Sequence, residues 1–320
     1  MNSQTKPTKD IIIMGAGMTG LSLGSFYQAK GLSVQILEKS HAYGGRMATR
    51  RTNFGTFDHG AQFIHMKPNS DFIWKKDWDE KGFLSLWFVD TSGGEYFVCH
   101  SGINQLSKEV PNPGEIIFKE RITKVKKDKG EWILYTEANL EYRTKGLVFT
   151  APLPQSLQIL RDSEIDYPKH LDEIVYNKAI VALFSFEEEL IPGRENKFQT
   201  NLSNNIRSLA LQSSKLEASP IRYTMVMSPE FSELHFEKEE EEIRKALESE
   251  FAMVFSKNLP KEKLQIKKWR YSEPKKKADS PYSLISASPL LVLAGDAFGG
   301  GSILGAIRSA EAVYKDWPLD

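Results

Sequence analysis

Cysteine is almost absent: the 320-residue chain carries one, Cys99. A single thiol cannot form an intrachain disulfide, and it rules out any CxxC metal or redox site. It suits a reducing compartment, where such a residue usually serves as a small buried apolar group. An excess of either charge is absent too, since 42 Lys and Arg balance 42 Asp and Glu for a formal net charge of +0. The one-sided basic surface with which nucleic-acid binders displace counterions is therefore not expected. Long apolar runs are also missing, and nothing approaches the ~20 residues that span a bilayer. The apolar stretch at residues 11–24 follows Lys6 and Lys9 as a signal-peptide core would. Its regular glycines, and the lack of a small-residue cleavage pattern after it, argue against that reading. No histidine–acid set stands at metal-ligand spacing, and no Ser/His/Asp set can be assigned. These absences point to a soluble, cytoplasmic protein with no metal, no nucleic-acid partner and no membrane span.

Core-forming material is plentiful: 40% of residues are hydrophobic, with 18 Phe, 11 Tyr and 6 Trp. That is enough for one large domain or two intertwined ones. Residues 10–40 read as strand, tight turn, helix, strand. Ile11, Ile12 and Ile13 form a β-branched run fit for a strand buried on both faces. Leu21, Leu23, Phe26 and Tyr27 mark the helix, Gly31 fits its C-terminal cap, and Val34, Ile36 and Leu37 make the second strand. Residues 83–102 read as a hairpin turning near Thr91 to Gly94, and residues 115–152 as a meander of three or four strands. Further strands follow at residues 179–190 and 221–230. Leu234, Phe236, Ile243, Leu247, Phe251, Val254 and Phe255 then recur at helical spacing, with the glutamates among them as a solvated face. The lysines after Pro274 read as a solvated loop. Residues 290–313 close the chain as a buried strand, a glycine-rich turn and a helix starting near Ser302 or Ile303.

Three motifs carry chemistry. The first, Gly15-Ala16-Gly17-Met18-Thr19-Gly20, is a GxGxxG between a strand and a helix. Gly15 permits the turn, Gly17 lets a pyrophosphate approach the backbone, and Gly20 allows close helix–strand packing, while the helix start offers free N–H groups and a positive dipole end. Glu38 ends the second strand, where an acid accepts hydrogen bonds from a ribose and disfavours a 2′-phosphate. The second motif is Gly44-Gly45-Arg46. NAD-type dehydrogenases have no need of it after the ribose-binding acid. An extended FAD has, because a bare backbone turn can pass beside it and Arg46 can place a delocalised cation near its phosphates or ring. Arg50 and Arg51 read as surface charges on a loop, and the Asp58-His59-Gly60-Ala61-Gln62 that follows reads as backbone packed against a flat ring. The third motif is Gly295-Asp296 with the glycines after it. The aspartate can bind a ribityl hydroxyl or reach the pyrophosphate, and the next helix start can favour charge on a reduced flavin.

The N-terminal strand–helix–strand, the Gly-Gly-Arg-Met of residues 44–47 and the Gly295-Asp296 helix resemble the flavin-containing amine oxidase superfamily. Within it, residues 43–63, 100–110, 151–157, 268–274 and 293–301 resemble the renalase-like branch. The resemblance runs from the first strand to the last helix. It implies an α/β fold of the p-hydroxybenzoate-hydroxylase type. A Rossmann-like FAD domain would be assembled from residues 1–65, 100–155 and 285–320, and an inserted mixed-sheet substrate domain from 66–99 and 156–284. It also implies non-covalent FAD, with cofactor contacts extending to Lys39, Met47, Ile122, Ile303 and Leu304. The implied activity is oxidation of a dihydropyridine, such as an aberrant NAD(P)H isomer, or of an amine, with O2 taking the electrons to give hydrogen peroxide. In one respect the chain departs from the pattern: Leu304-Gly305-Ala306 stands where renalase-like chains tend to carry Glu-Gly-Ala. No cysteine lies near the last helix, so a cysteinyl–flavin bond is not available there.

A dihydropyridine holds a weak C–H bond, and aromatisation drives hydride off it, so the protein has mainly to orient the ring. Trp269, Arg270 and Tyr271 are candidates for that role. On a strand Trp269 and Tyr271 share one face and Arg270 takes the other, so the aromatics or the arginine face the substrate, not all three. His59 and His65 fall near the expected flavin. Other flavin amine oxidases, desaturase-type oxidoreductases and a flavin-binding protein without turnover stay open as alternatives.

Overall fold

Ile11, Ile12 and Ile13 are fully buried in the strand Lys9–Met14 (β1), which is flanked by parallel neighbours on both sides. The β-branched run thus occupies the position its composition suits. The structure, a computed structural model, describes residues 7–191, 197–216 and 220–319; Lys6 lies outside them. The chain divides into two compact units, one of residues 1–45, 107–175 and 274–320, the other of residues 46–106 and 176–273.

In the first unit β1 leads into the helix Met18–Ala29 (α1) and the strand Val34–Glu38 (β2). Leu21, Leu23, Phe26 and Tyr27 are buried along α1, and Gly31 follows it at φ 87°, closing the helix as a left-handed glycine does. The sheet runs in the order Ser283–Ala287, Leu290–Leu293, Glu141–Phe149, β1, β2, Glu115–Phe118. The expected meander is present: Ile122–Asp128, Glu131–Thr136 and Glu141–Phe149 pair antiparallel in sequence. The C-terminal helix is Ile303–Asp316, and the Ser302 side chain caps it by accepting from the Gly305 N–H.

In the second unit a five-stranded sheet runs Phe198–Thr200, Ile206–Leu211, Ile221–Met227, Tyr176–Phe186, Leu264–Pro274. Along Tyr176–Phe186 alternate residues serve two cores. Ile180, Ala182 and Phe184 pack with Leu247 and Phe251 of the helix Glu240–Phe255. Val181 and Leu183 pack with Phe57 on the other face. Phe57 belongs to a hairpin of Thr49–Thr52 (β3) and Gly55–Asp58 (β4). The hairpin expected around Thr91 is found, between Ser85–Val89 and Glu95–Val98.

Three expectations need correction. Residues 46–65 and 100–106 belong to the second unit and 156–175 and 274–284 to the first; burial of Phe57 against Val181 and Leu183 and the bonds of Asp58 to Thr224 and Lys215 hold the hairpin there. Arg50 and Arg51 lie on β3, not on a loop. The apolar series from Leu234 to Phe255 is two helices, Pro229–His235 and Glu240–Phe255, and Leu234 is 67% exposed. Three consecutive acids at residues 240–242 begin a new helix, where the dipole favours them. Among the described residues no helix is long and apolar enough to cross a membrane.

Candidate functional site

The glycine motif of the first unit splits into three physical roles. A Cβ on Gly20 would sit 2.0 Å from the Gly15 carbonyl oxygen, so this glycine is required by packing alone. Gly17 is different: a Cβ there would meet nothing within 4 Å. Its backbone is extended (φ −80°, ψ 176°), and no side chain caps α1 behind it. The first N–H groups of a helix have no intrahelical acceptor, so the open space over Gly17 is bordered by donors and a positive dipole end. A pyrophosphate fits that space. Thr19 is committed elsewhere through its side chain, which donates to the Ala306 carbonyl at 2.9 Å.

Glu38 is buried and its carboxylate orders the cradle. One oxygen accepts from the Ala16 N–H at 2.8 Å and the other from the Ser40 N–H at 2.7 Å. Each oxygen keeps a lone pair, which is what two ribose hydroxyls require. Gly44 and Gly45 pack on the same loop: the Gly44 N–H donates to the Ala16 carbonyl at 2.8 Å, and a Cβ on Gly45 would meet the Gly17 Cα at 3.7 Å. The bare Gly-Gly turn thus lets two stretches of backbone lie together. Lys39 donates to Gln155 at 2.6 Å; burial, helped by the Arg121 charge and opposed by Glu38, lowers its pKa. Ile122 is buried at the start of its strand. Asp296, Ile303 and Leu304 are buried too. Gly295 has φ 131° and donates to the Ser309 hydroxyl at 2.9 Å.

In the second unit the segment after Arg46 lies along one face of the strand Leu264–Pro274. Arg46 donates to the Tyr271 and Ser272 carbonyls at 3.4 and 3.3 Å, with its guanidinium 5.6 Å from the Tyr176 ring centre. Arg50 donates to Gln265 at 3.1 Å. The Trp269 indole N–H donates to the His59 carbonyl at 2.7 Å, and the two rings stack at 5.4 Å and 22°. Arg270 points to the opposite face, paired with both oxygens of Glu237 and lying 5.0 Å from the Phe236 ring centre. Trp269 and His59 are therefore brought together, and Arg270 is held away from them. Gly60 also finds its reason here. A Cβ on it would lie 1.9 Å from the Arg46 carbonyl oxygen, so its own chain excludes a side chain. The Ala61 N–H donates to that same oxygen at 2.9 Å. Met47 is buried, and His65 is exposed and stacks on Tyr96 at 4.5 Å.

His59 Nδ1 is buried with no hydrogen-bond partner. Burial, together with the Lys267 and Arg50 charges and against Asp58, pulls the His59 pKa down to about 4. The imidazole is neutral at neutral pH and lies against a flat aromatic surface, with Nδ1 shielded from solvent. The sign of the stability effect follows. Between its ordinary pKa of 6.5 and about 4, the unfolded chain takes up a proton that the folded chain refuses, so folding weakens as pH falls through that window. Replacing His59 with Phe is expected to flatten this acid slope, read as melting temperature against pH.

Sequence reasoning missed what holds this loop. Asp58 and Gln62 are tied to Gln212, Lys215 and Thr224 by buried hydrogen bonds. The dense run at residues 58–62 was the only sign, and nothing around Lys215 marked it. Among the described residues there is no group of His, Cys, Asp and Glu that could hold a metal ion, and Cys99 is buried.

Comparison with known proteins gives the family. Residues 13–78 match the NAD(P)-binding Rossmann-like domain, and residues 79–313 match the flavin containing amine oxidoreductase family. A 4,4'-diapophytoene desaturase (4,4'-diapolycopene-forming) of Methylomonas sp is 43% identical over 60 residues, 19% of this chain and only 12% of the desaturase. Likeness to solved structures extends over nearly the whole chain. A CLA-producing fatty acid isomerase from P. acnes has TM-score 0.69 at 13% identity, covering 97% of this chain and 99% of its own. A putrescine oxidase solved with putrescine bound has TM-score 0.65 at 13% identity, with the same coverage. At such identities these likenesses speak for the fold alone.

Proposed function

The chain belongs to the flavin containing amine oxidoreductase family, and from that premise we propose that this FAD-dependent oxidoreductase is a renalase-like oxidase of dihydropyridines, acting in the cytoplasm. The balanced reaction takes a dihydropyridine, O2 and one proton to a pyridinium and hydrogen peroxide. FAD, held without a covalent bond, would supply the two-electron acceptor for this reaction. In the first unit, Gly17 and the uncapped start of α1 hold the pyrophosphate and Glu38 holds the adenosine ribose. Ile122 and Asp296 contribute to the same cofactor's binding. In the second unit, Trp269 gives a flat apolar wall and the neutral His59 ring stacked on it extends that wall for orienting a planar substrate.

The observation that carries this reading is His59 itself: neutral and stacked on Trp269. Hydride departure from a dihydropyridine needs orientation and no general base, and a flat aromatic surface with a neutral imidazole suits it. An amine substrate must lose a proton from nitrogen first, which favours a base that titrates near neutrality. The desaturase likeness spans too little of either chain to favour an apolar polyene substrate.

The purified protein is expected to be yellow and to release FAD, not FMN, on heating. Anaerobic stopped-flow should show bleaching by a 2- or 6-dihydro isomer of NAD(P)H and almost none by a primary amine. With the dihydropyridine the reduction rate should change less than about threefold between pH 6.5 and 8.5. Bleaching by amines alone would reject the dihydropyridine assignment and leave the FAD enzyme standing.

A further inference from the structure

A fully buried lysine is costly unless each of its protons meets an acceptor. Lys215 and Asp58 are 0% and 1% exposed at their side chains and lie 2.9 Å apart. The other two ammonium protons of Lys215 go to Gln62, at 2.9 Å to its backbone oxygen and 3.1 Å to its side-chain oxygen. The second carboxylate oxygen of Asp58 accepts from the Thr49 hydroxyl at 2.7 Å and the Ile103 N–H at 2.9 Å. Gln62 returns its amide protons to the carbonyls of Asp58 and Gly60, at 2.8 and 3.1 Å. Gln212 bridges the two ends, accepting from the Asp58 N–H at 3.0 Å and donating to the Gln62 side chain at 2.8 Å. Lys215 is itself anchored, since His100 Nδ1 donates to its carbonyl at 2.8 Å.

The tripodal donor matters. Three N–H bonds diverging from one atom can grip a carboxylate, a backbone carbonyl and an amide oxygen together, which no neutral side chain can do. Both ends of the span from Asp58 to Gln62 are thereby fixed, with His59 and Ala61 also tied by their N–H groups to the carbonyls of Ala48 and Arg46. Apolar residues of similar volume commonly stabilise a core as well as a buried ion pair does, so what this pair adds is a defined geometry. We propose that Lys215 is a positioning residue: its buried ammonium, through Asp58 and Gln62, sets the backbone of His59, Gly60 and Ala61 and so the placement of the His59 ring in the reaction site. This rests on the dihydropyridine oxidase reading only for what that ring then touches.

The test uses the full-length FAD-loaded protein and two variants. Lys215→Met leaves Asp58 charged and unpaired, and a loss of folding is expected. Asp58→Asn with Lys215→Met removes both charges and keeps an acceptor for Thr49 and Ile103. The double variant should regain the parent's melting temperature and FAD content. Its hydrogen exchange over residues 59–62 should still be at least tenfold faster than the parent's, with an altered titration of the His59 ring read by NMR. A double variant that matches the parent in exchange and titration would reduce Lys215 to a counter-ion for Asp58 and overturn the proposal. Gln62→Met, which leaves the charge pair whole, should shift both readouts the same way to a smaller extent, and decides the matter if the double variant does not fold. If the parent binds no FAD the flavin reading fails, and exchange alone still judges Lys215.

Discussion

Gly17→Val is expected to leave the apoprotein as stable as the parent and to weaken FAD binding at least 100-fold, about 2.7 kcal/mol. The two halves of that result have separate causes. Gly17 is extended, at φ −80° and ψ 176°, a conformation valine favours, and a Cβ there meets no atom within 4 Å. Substitutions that create no clash or cavity usually alter stability by less than about 0.5 kcal/mol. The new methyls would instead fill the space where the pyrophosphate must approach the N–H groups of α1. Gly20→Val provides the contrast, because its Cβ would lie 2.0 Å from the Gly15 carbonyl oxygen and backbone cannot swing aside. That variant should lose about 3 kcal/mol or more of stability as well as FAD. Melting temperature of the apoprotein and flavin-fluorescence titration separate the two. Full flavin occupancy in Gly17→Val would place the pyrophosphate elsewhere.

The contrast between the two glycines shows where sequence was a sufficient guide. A GxGxxG is legible locally, because strand, turn and helix are contiguous and Gly20 answers to the Gly15 carbonyl in the same turn. The same holds for the left-handed Gly31 and for Ser302 as the cap of the last helix. Legibility declined where the partner is distant in sequence. The β3–β4 hairpin has polar, charged residues on β3, and it is the burial of Phe57 against Val181 and Leu183 and the bonds of Asp58 to Thr224 and Lys215 that assign it to the second unit. Alternation along the strand Leu264–Pro274 separates Trp269 from Arg270, but only Glu237 and Phe236 reveal which face Arg270 takes. Lys215 is the extreme case. A lysine beside two serines looks solvated, and its acceptors at residues 58 and 62 lie far back in the chain. Buried charge is invisible to hydropathy because its cost is met by geometry, not by composition.

Trp269→Ala tests that strand's faces with the larger effect. It removes the indole donor to the His59 carbonyl, the ring stacked on the imidazole and the contact with the core of Phe57, Val181 and Leu183. Truncating a fully buried tryptophan costs about 3–5 kcal/mol, and for this half-buried one about 2–3 kcal/mol is expected. Water would then reach the imidazole. Since burial is the first cause of its low pKa, the His59 pKa should climb from about 4 toward the ordinary 6.5, and the loss of stability between those pH values should fade with it. Titration of the His59 ring by NMR reads this without reference to activity. Flavin reduction by a dihydropyridine should slow at least about tenfold through lost orientation. Arg270→Ala should change neither the His59 titration nor the reduction rate, because its guanidinium is held by Glu237 on the other face. Equal slowing in both variants would mean that both faces of the strand serve the reaction, and the assignment of His59 and Trp269 as its orienting pair would have to be abandoned.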